Sequence, residues 1–143
     1  NFLFNNKIFN CGVKGHTVCL DAYGYLQPCI LLREQSCVYN LKSGSLRYAL
    51  TKFLPKISKR VTSNPDYLSK CARCFLRPIC EQCPGQSWVE HGNLDNPVDY
   101  CCEIAHTEAR LLGLLNEGEY GWSVPNWKER IKGFIKQGGR NAS

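Results

Sequence analysis

The sequence predicts a small α+β fold: a β-hairpin, short helices and one longer C-terminal helix, tied together through cysteine side chains. Three observations predict it. Residues 16–21 and 26–32 are strand-like stretches around Gly24. Residues 99–116 carry apolar side chains at helical spacing. Between them, four cysteines crowd into residues 71–83. With 143 residues, 43% of them hydrophobic, the chain is long enough for one globular domain, or for one domain with an appendage.

The hairpin comes first. His16-Thr-Val-Cys-Leu-Asp21 alternates and is rich in β-branched residues, Ala22-Tyr-Gly-Tyr25 turns with Gly24 in the left-handed position, and Leu26-Gln-Pro-Cys-Ile-Leu-Leu32 returns. Pro28 has no N–H, which predicts an edge or a bulge there, with Cys29 aimed out of the ladder. Cys29 and Cys11 are then placed to face one site at the hairpin's end. Val38-Tyr-Asn-Leu41 reads as a further extended piece. Ser45 is the expected N-cap of a helix over residues 46–54, with Leu46, Ala49, Leu50 and Phe53 on one face. Pro55 should end or kink that helix. Ser63-Asn-Pro-Asp66 reads as a turn into the cysteine run, and residues 84–97, with several turn formers, as a loop.

The clearest helix follows, from Asp99 or Tyr100 to Asn116, with Cys101 and Cys102 in its first turn. Free N–H groups and the positive end of the helix dipole favour a thiolate there. Gly118 and Gly121 interrupt the chain before a final basic helix over residues 127–137. The chain is therefore divided into residues 1–116 and a C-terminal extension, 117–143.

Ten cysteines are about 7% of the chain, close to the density of small disulfide scaffolds, which are usually shorter and exported. The first ten residues carry one lysine and no small-residue cleavage site, so they do not read as a signal peptide. No apolar run reaches the roughly 18 residues of a membrane span. The expectation is a cytoplasmic protein with reduced thiols, which points to metal or cluster ligation. The net charge of +6 is scattered, apart from residues 56–60 and the last helix. A [4Fe–4S] core with four thiolates carries a charge of about −2, so part of the basic excess is counter-charge. Neither nucleic acid nor a membrane is expected as a partner. The chain starts at Asn1 rather than at a methionine, and it is expected to begin inside a longer protein. The Asn141-Ala142-Ser143 sequon reads as chance.

Cys71-Ala-Arg-Cys74-Phe-Leu-Arg-Pro-Ile-Cys80-Glu-Gln-Cys83-Pro84 carries the chemistry. Each Cys-x-x-Cys turn brings two sulfurs to one side of the backbone. Zinc sites usually separate two such pairs by roughly 12–20 residues. Here five residues intervene, and Pro78 stiffens them. Iron–sulfur proteins use dense runs ending in Cys-Pro, in which the last cysteine can serve a different cluster from the others. The spacing favours a cluster over zinc.

Taken in order, Cys11-Gly, Gly24-x4-Cys29, the run 71–83 and Cys102-Glu-Ile-Ala resemble the SPASM domain. That is the auxiliary-cluster domain at the C-terminus of many radical S-adenosylmethionine enzymes that modify peptides and proteins. Tyr39-Asn-Leu-Lys-Ser-Gly-Ser-Leu46 is similar to the family's Gly-Asn-Leu-x-x-Gly-Ser-Leu segment, and Glu90-His-Gly-Asn93 to the loop before its final cysteine. The resemblance covers residues 10–115.

The resemblance implies two [4Fe–4S] clusters. Cys11, Cys29 and Cys83 would hold the first, nearer the enzyme's active site. Cys71, Cys74, Cys80 and Cys102 would hold the second, with Cys101 as the alternate to Cys102. Two departures stand out. Two residues rather than three separate Cys80 from Cys83, and the cysteine expected upstream of Cys11 is missing where Asn5 and Asn6 stand. The first cluster is then open at one iron, or is completed by Cys19 or Cys37. The family's catalytic Cys-x3-Cys-x-x-Cys run is absent from these residues, so no catalytic residue is assigned. S-adenosylmethionine would bind in an upstream barrel domain. The implied role is electron transfer and binding of a peptide or protein substrate.

The alternative, from another class, is a zinc-binding interaction module that uses the same thiols, and a third reading is a disulfide-bonded secreted domain. Cys19, between Val18 and Leu20, reads as a small buried hydrophobe. His16, His91 and His106 are isolated and read as surface or loop residues. Tyr23, Tyr25, Trp88 and Tyr100 either shield clusters from water or pack in the core. The basic segment 126–137 presents a solvated face, or a face that docks on a partner or the barrel.

Overall fold

Two antiparallel pairings build a three-stranded sheet in the order β1-β2-β3. A computed structural model describes residues 4–11 and 17–138, the last three as backbone only. His16 and the sequon at 141–143 lie outside the described residues. β1 (Cys19–Leu20) sets Cys19 opposite Gln27 of β2 (Tyr25–Gln27), and β3 (Tyr39–Asn40) sets Tyr39 opposite Leu26. The turn between β1 and β2 has a local cause. Asp21 Oδ1 accepts the N–H groups of Tyr23 and Tyr25, both at 2.9 Å, and Gly24 takes φ 84°. β2 is shorter than the sequence indicated because Pro28, next in line, cannot donate to the ladder.

Helices make up the rest of this small α+β domain. α1 (Leu46–Tyr48) is capped by Ser45, whose Oγ accepts the Tyr48 N–H at 3.1 Å. It runs through a π-helical segment, Ala49–Phe53, into α2 (Leu54–Ser58). Pro55 therefore does not end the helix, and the irregular turn falls just before it. In the widened turn the Leu54 N–H reaches back to the Ala49 carbonyl. Pro55 then enters at the start of a fresh α-turn, where its missing N–H is not needed.

α3 (Pro65–Ser69), capped by the Asn64 side chain, replaces the expected turn. α4 (Pro84–His91) replaces the expected loop. Pro84 sits in its first turn and left-handed Gly92, φ 75°, closes it. α5 (Asp99–Leu111) stops short of Asn116 because the chain turns out at Gly113, φ 71°. α6 is Trp127–Gly138. Among the described residues no helix is long and apolar enough to cross a membrane.

Two apolar clusters organise the interior. In the first, Ile8, Phe9, Leu26, Leu32, Cys37, Ala49, Leu54 and Ile57 join the sheet to the π-helical segment and α2, with Cys29 packed at its edge. In the second, Cys74, Phe75 and Leu76 of the cysteine run pack with Ala109, Leu114, Leu115 and Val124. Trp122, Trp127 and Ile131 close that cluster, so the C-terminal extension is built into the core beside the cysteines.

Candidate metal centre

The cysteine run leaves α3 in a succession of tight turns. The Arg77 N–H bonds the Cys74 carbonyl at 3.3 Å, and the Ile79 and Cys80 N–H groups both bond the Leu76 carbonyl at 2.9 Å. These turns fold Cys71, Cys74 and Cys80 back on one another, and the first turn of α5 adds Cys102. The thiols report their proximity electrostatically. Burial pushes the Cys71 thiol up to about 12, and the charges of Cys80 and Cys102 add to it. Cys74 also reaches about 12, chiefly through burial, with Cys80, Cys102 and Cys71 all raising it. Cys102 is pushed up to about 11 by burial and then by Cys80. Cys80 is raised by burial, against the lowering pull of the Gln82 N–H and Arg77.

A second neighbourhood holds Cys29, Cys83 and Cys11. Burial raises the Cys29 thiol, the N–H groups of Leu31 and Leu32 pull it down, and the charges of Cys83 and Cys11 raise it again. Cys83 is the N-cap of α4, its Sγ accepting the Gln86 N–H at 3.5 Å. The helix start reaches Cys29 because Gly85 lies flat on Leu31: a Cβ there would meet Leu31 Cβ at 2.9 Å.

Cys11 is exposed, on a segment pinned from the other neighbourhood. Arg77, between Cys74 and Cys80, donates to the carbonyls of Asn5 and Lys7 and to the Tyr67 hydroxyl, the last at 2.6 Å. Tyr67 in turn donates to the Lys7 carbonyl at 3.1 Å. Buried beside Cys71 and Cys80, its phenol is pushed up to about 12.

Cys101 lies between the two neighbourhoods. Burial raises it first, then the charge of Cys80, and Cys83 raises it too. Its Sγ stands 3.6 Å from Gln86 Oε1. Cys11, Cys74, Cys80, Cys83 and Cys101 line a common cavity of about 1050 Å³, walled by Tyr100, Trp127 and Ile131. Cys37 is fully buried in the first core; its thiol, pushed up to about 11 by burial, faces Arg60 Nη1 at 3.5 Å rather than another thiol. Cys19 is half-buried on β1, at the sheet's edge. None of the ten cysteines is joined in a disulfide.

No family model, curated protein or solved structure matches this chain.

The donor set must therefore be judged on its own chemistry. Thiolates are soft ligands that suit zinc or iron–sulfur clusters. Zinc draws sulfurs to about 2.3 Å from itself, so four of them stand roughly 3.8 Å apart. Among the described residues no three His, Cys, Asp or Glu side chains converge tightly enough to hold one metal ion. Gly121 packs directly against one of these sulfurs, since a Cβ there would come within 2.6 Å of Cys74 Sγ.

The expectation that His106 is a surface or loop residue is corrected: it is only 4% exposed. Its Nδ1 donates to the Cys102 carbonyl at 2.7 Å, and its Nε2 accepts the Gly121 N–H at 3.0 Å. Accepting at Nε2 fixes the neutral tautomer, and burial holds the imidazole pKa below its usual value. Its place one helical turn beyond Cys102, on the face that carries Ala105 and Ala109, sets it beside the thiol turn, but its burial comes from residues 120–122.

Proposed function

We propose that this chain is an auxiliary [4Fe–4S] cluster domain of a radical S-adenosylmethionine enzyme that modifies a peptide or protein. It serves electron transfer and substrate binding in the cytoplasm, beside a barrel domain that binds S-adenosylmethionine. The observation that carries this reading is the placement of Cys83, at the end of the run, as the N-cap of α4, which Gly85 seats on Leu31 two residues from Cys29, while Cys74 and Cys80 stay in the turns of the run. Cys71, Cys74, Cys80 and Cys102 would hold one cluster and Cys11, Cys29 and Cys83 the other. Such clusters supply one-electron transfer and, where an iron lacks a thiolate, an open coordination position.

The chain's own residues prepare the sites. Burial keeps water from Cys74, α4 offers the Gln86 N–H to Cys83, and Arg77 holds the segment that bears Cys11. Cys37 is engaged with Arg60, which argues against it as the fourth ligand of the Cys29 group; an open iron and completion by Cys19 are the readings that remain from the sequence.

Purification without oxygen tests the reading. A brown protein with iron and acid-labile sulfide sufficient for two clusters is expected. A colourless protein with stoichiometric zinc would overturn it in favour of a zinc-binding interaction module.

A further inference from the structure

Gly121 of the C-terminal extension lies directly on the thiol neighbourhood of Cys71, Cys74, Cys80 and Cys102, at Cys74. The Phe75 N–H, next to Cys74, donates to the Gly121 carbonyl at 3.2 Å. The Gly121 N–H donates to His106 Nε2, and His106 Nδ1 donates to the Cys102 carbonyl. One imidazole thus links the extension to the helical turn that carries Cys102, while the same glycine is bonded to the residue after Cys74. The approach is closer than any side chain permits: a Cβ at Gly121 would meet Cys74 Sγ at 2.6 Å and Leu76 Cγ at 2.9 Å.

Aromatic rings complete the cover. Tyr120 and Trp122 stack with centroids 4.7 Å apart, and both meet His106 edge-on, at 5.7 and 5.1 Å. Trp127 stacks on Phe75 at 6.0 Å.

We infer that this segment is a cover over the group formed by Cys71, Cys74, Cys80 and Cys102, with His106 as the positioning residue that latches it and thereby sets how far water and oxygen reach the group. The inference rests on the cluster reading above. A cluster's potential and its lifetime in air depend on solvent exposure and on the hydrogen bonds around its sulfurs. His106 Nδ1 also stands 3.5 Å from Cys102 Sγ. It acts through the Cys102 carbonyl on one side and the Gly121 amide on the other.

The test uses the full chain, loaded without oxygen, with two variants. His106→Asn keeps a donor near the Cys102 carbonyl but cannot reach Gly121, and Gly121→Ala forces the cover off Cys74. In both, the cluster at the Cys71 group should bleach in air roughly 10-fold faster or more, and its midpoint potential should move. The cluster at the Cys29 group should keep its wild-type rate and potential. The Gly121 amide should lose its protection from hydrogen exchange in His106→Asn, while α5 amides keep theirs. Unchanged bleaching and potential in both variants, or an unprotected Gly121 amide in the wild type, would overturn the cover. Failure of the cluster reading looks different: a colourless wild-type chain removes the redox role, and Gly121 exchange in the zinc-loaded chain then decides the cover alone.

Discussion

Arg77 couples the two thiol neighbourhoods, and removing its guanidinium should free one of them. The side chain is half-buried and makes three hydrogen bonds, to the Asn5 and Lys7 carbonyls and the Tyr67 hydroxyl. Hydrogen bonds from charged donors are worth about 1.5–3 kcal/mol each, and partial exposure discounts them to about 1 each. Two of the three reach residues 5–9, so Arg77→Ala should weaken the hold on that segment by about 2 kcal/mol. That is roughly thirtyfold in the opening equilibrium. Native-state hydrogen exchange reads it at three amides: Asn5, bonded to Ala72, Ile8, bonded to Arg60, and Thr62, bonded to Asn6. The Leu112 amide, bonded to Glu108 at the end of α5, is the internal control. Arg77→Lys, a point charge that serves one carbonyl at a time, should lose about half as much. Exchange at those three amides within about threefold of wild type in Arg77→Ala would refute the reasoning.

Gly85→Ala should push α4 away from Leu31 and cost about 1–3 kcal/mol by overpacking. Thermal melting reads the cost, and iron lost from the Cys29 group alone reads the displacement of Cys83. Stripping the metal with a chelator under reducing conditions should remove most helical circular dichroism, because the second core is built on Cys74 and its neighbours. A stripped chain that still melts cooperatively at the loaded protein's temperature would contradict that. Glu119 closes the C-terminal extension. It accepts from Arg130 at 2.8 Å and from the Asn116 N–H at 2.7 Å, and these bonds hold its carboxyl down to about 2 from 4.5. A depressed carboxylate contributes stability that is present above its unfolded pKa and lost as pH falls through the folded one. Stability should thus decline between pH 4.5 and about 2, and Glu119→Gln should abolish that part of the acid titration.

What was legible in the sequence follows from how local each signal is. The β1–β2 turn was readable because Gly24 and Asp21 supply the whole of it. α5 was readable from its apolar spacing and Ser45 from its capping role, since each depends on a few neighbouring residues. α4 was missed because its N-cap is a cysteine: the thiol of Cys83 does the work usually given to a hydroxyl or carboxylate. The π-segment was missed because a widened turn has no composition of its own, and Pro55 argued for a stop. His106 was misread because its burial is created by Tyr120, Gly121 and Trp122, which only the folded chain brings to it. The order of the cysteines was plain in the sequence. The contacts that bring their elements together, Gly85 on Leu31 and Gly121 on Cys74, are made between residues far apart in the chain.

Iron stoichiometry in single-cysteine variants, followed by Mössbauer spectroscopy, tests the two-site account most directly. Cys29→Ser and Cys102→Ser should each lose one of two distinct clusters and about half the iron, while Cys37→Ser, whose thiol faces Arg60, should lose none. If both site variants lost the same spectral component, or if Cys37→Ser emptied either site, two independent thiol sites would no longer describe the molecule.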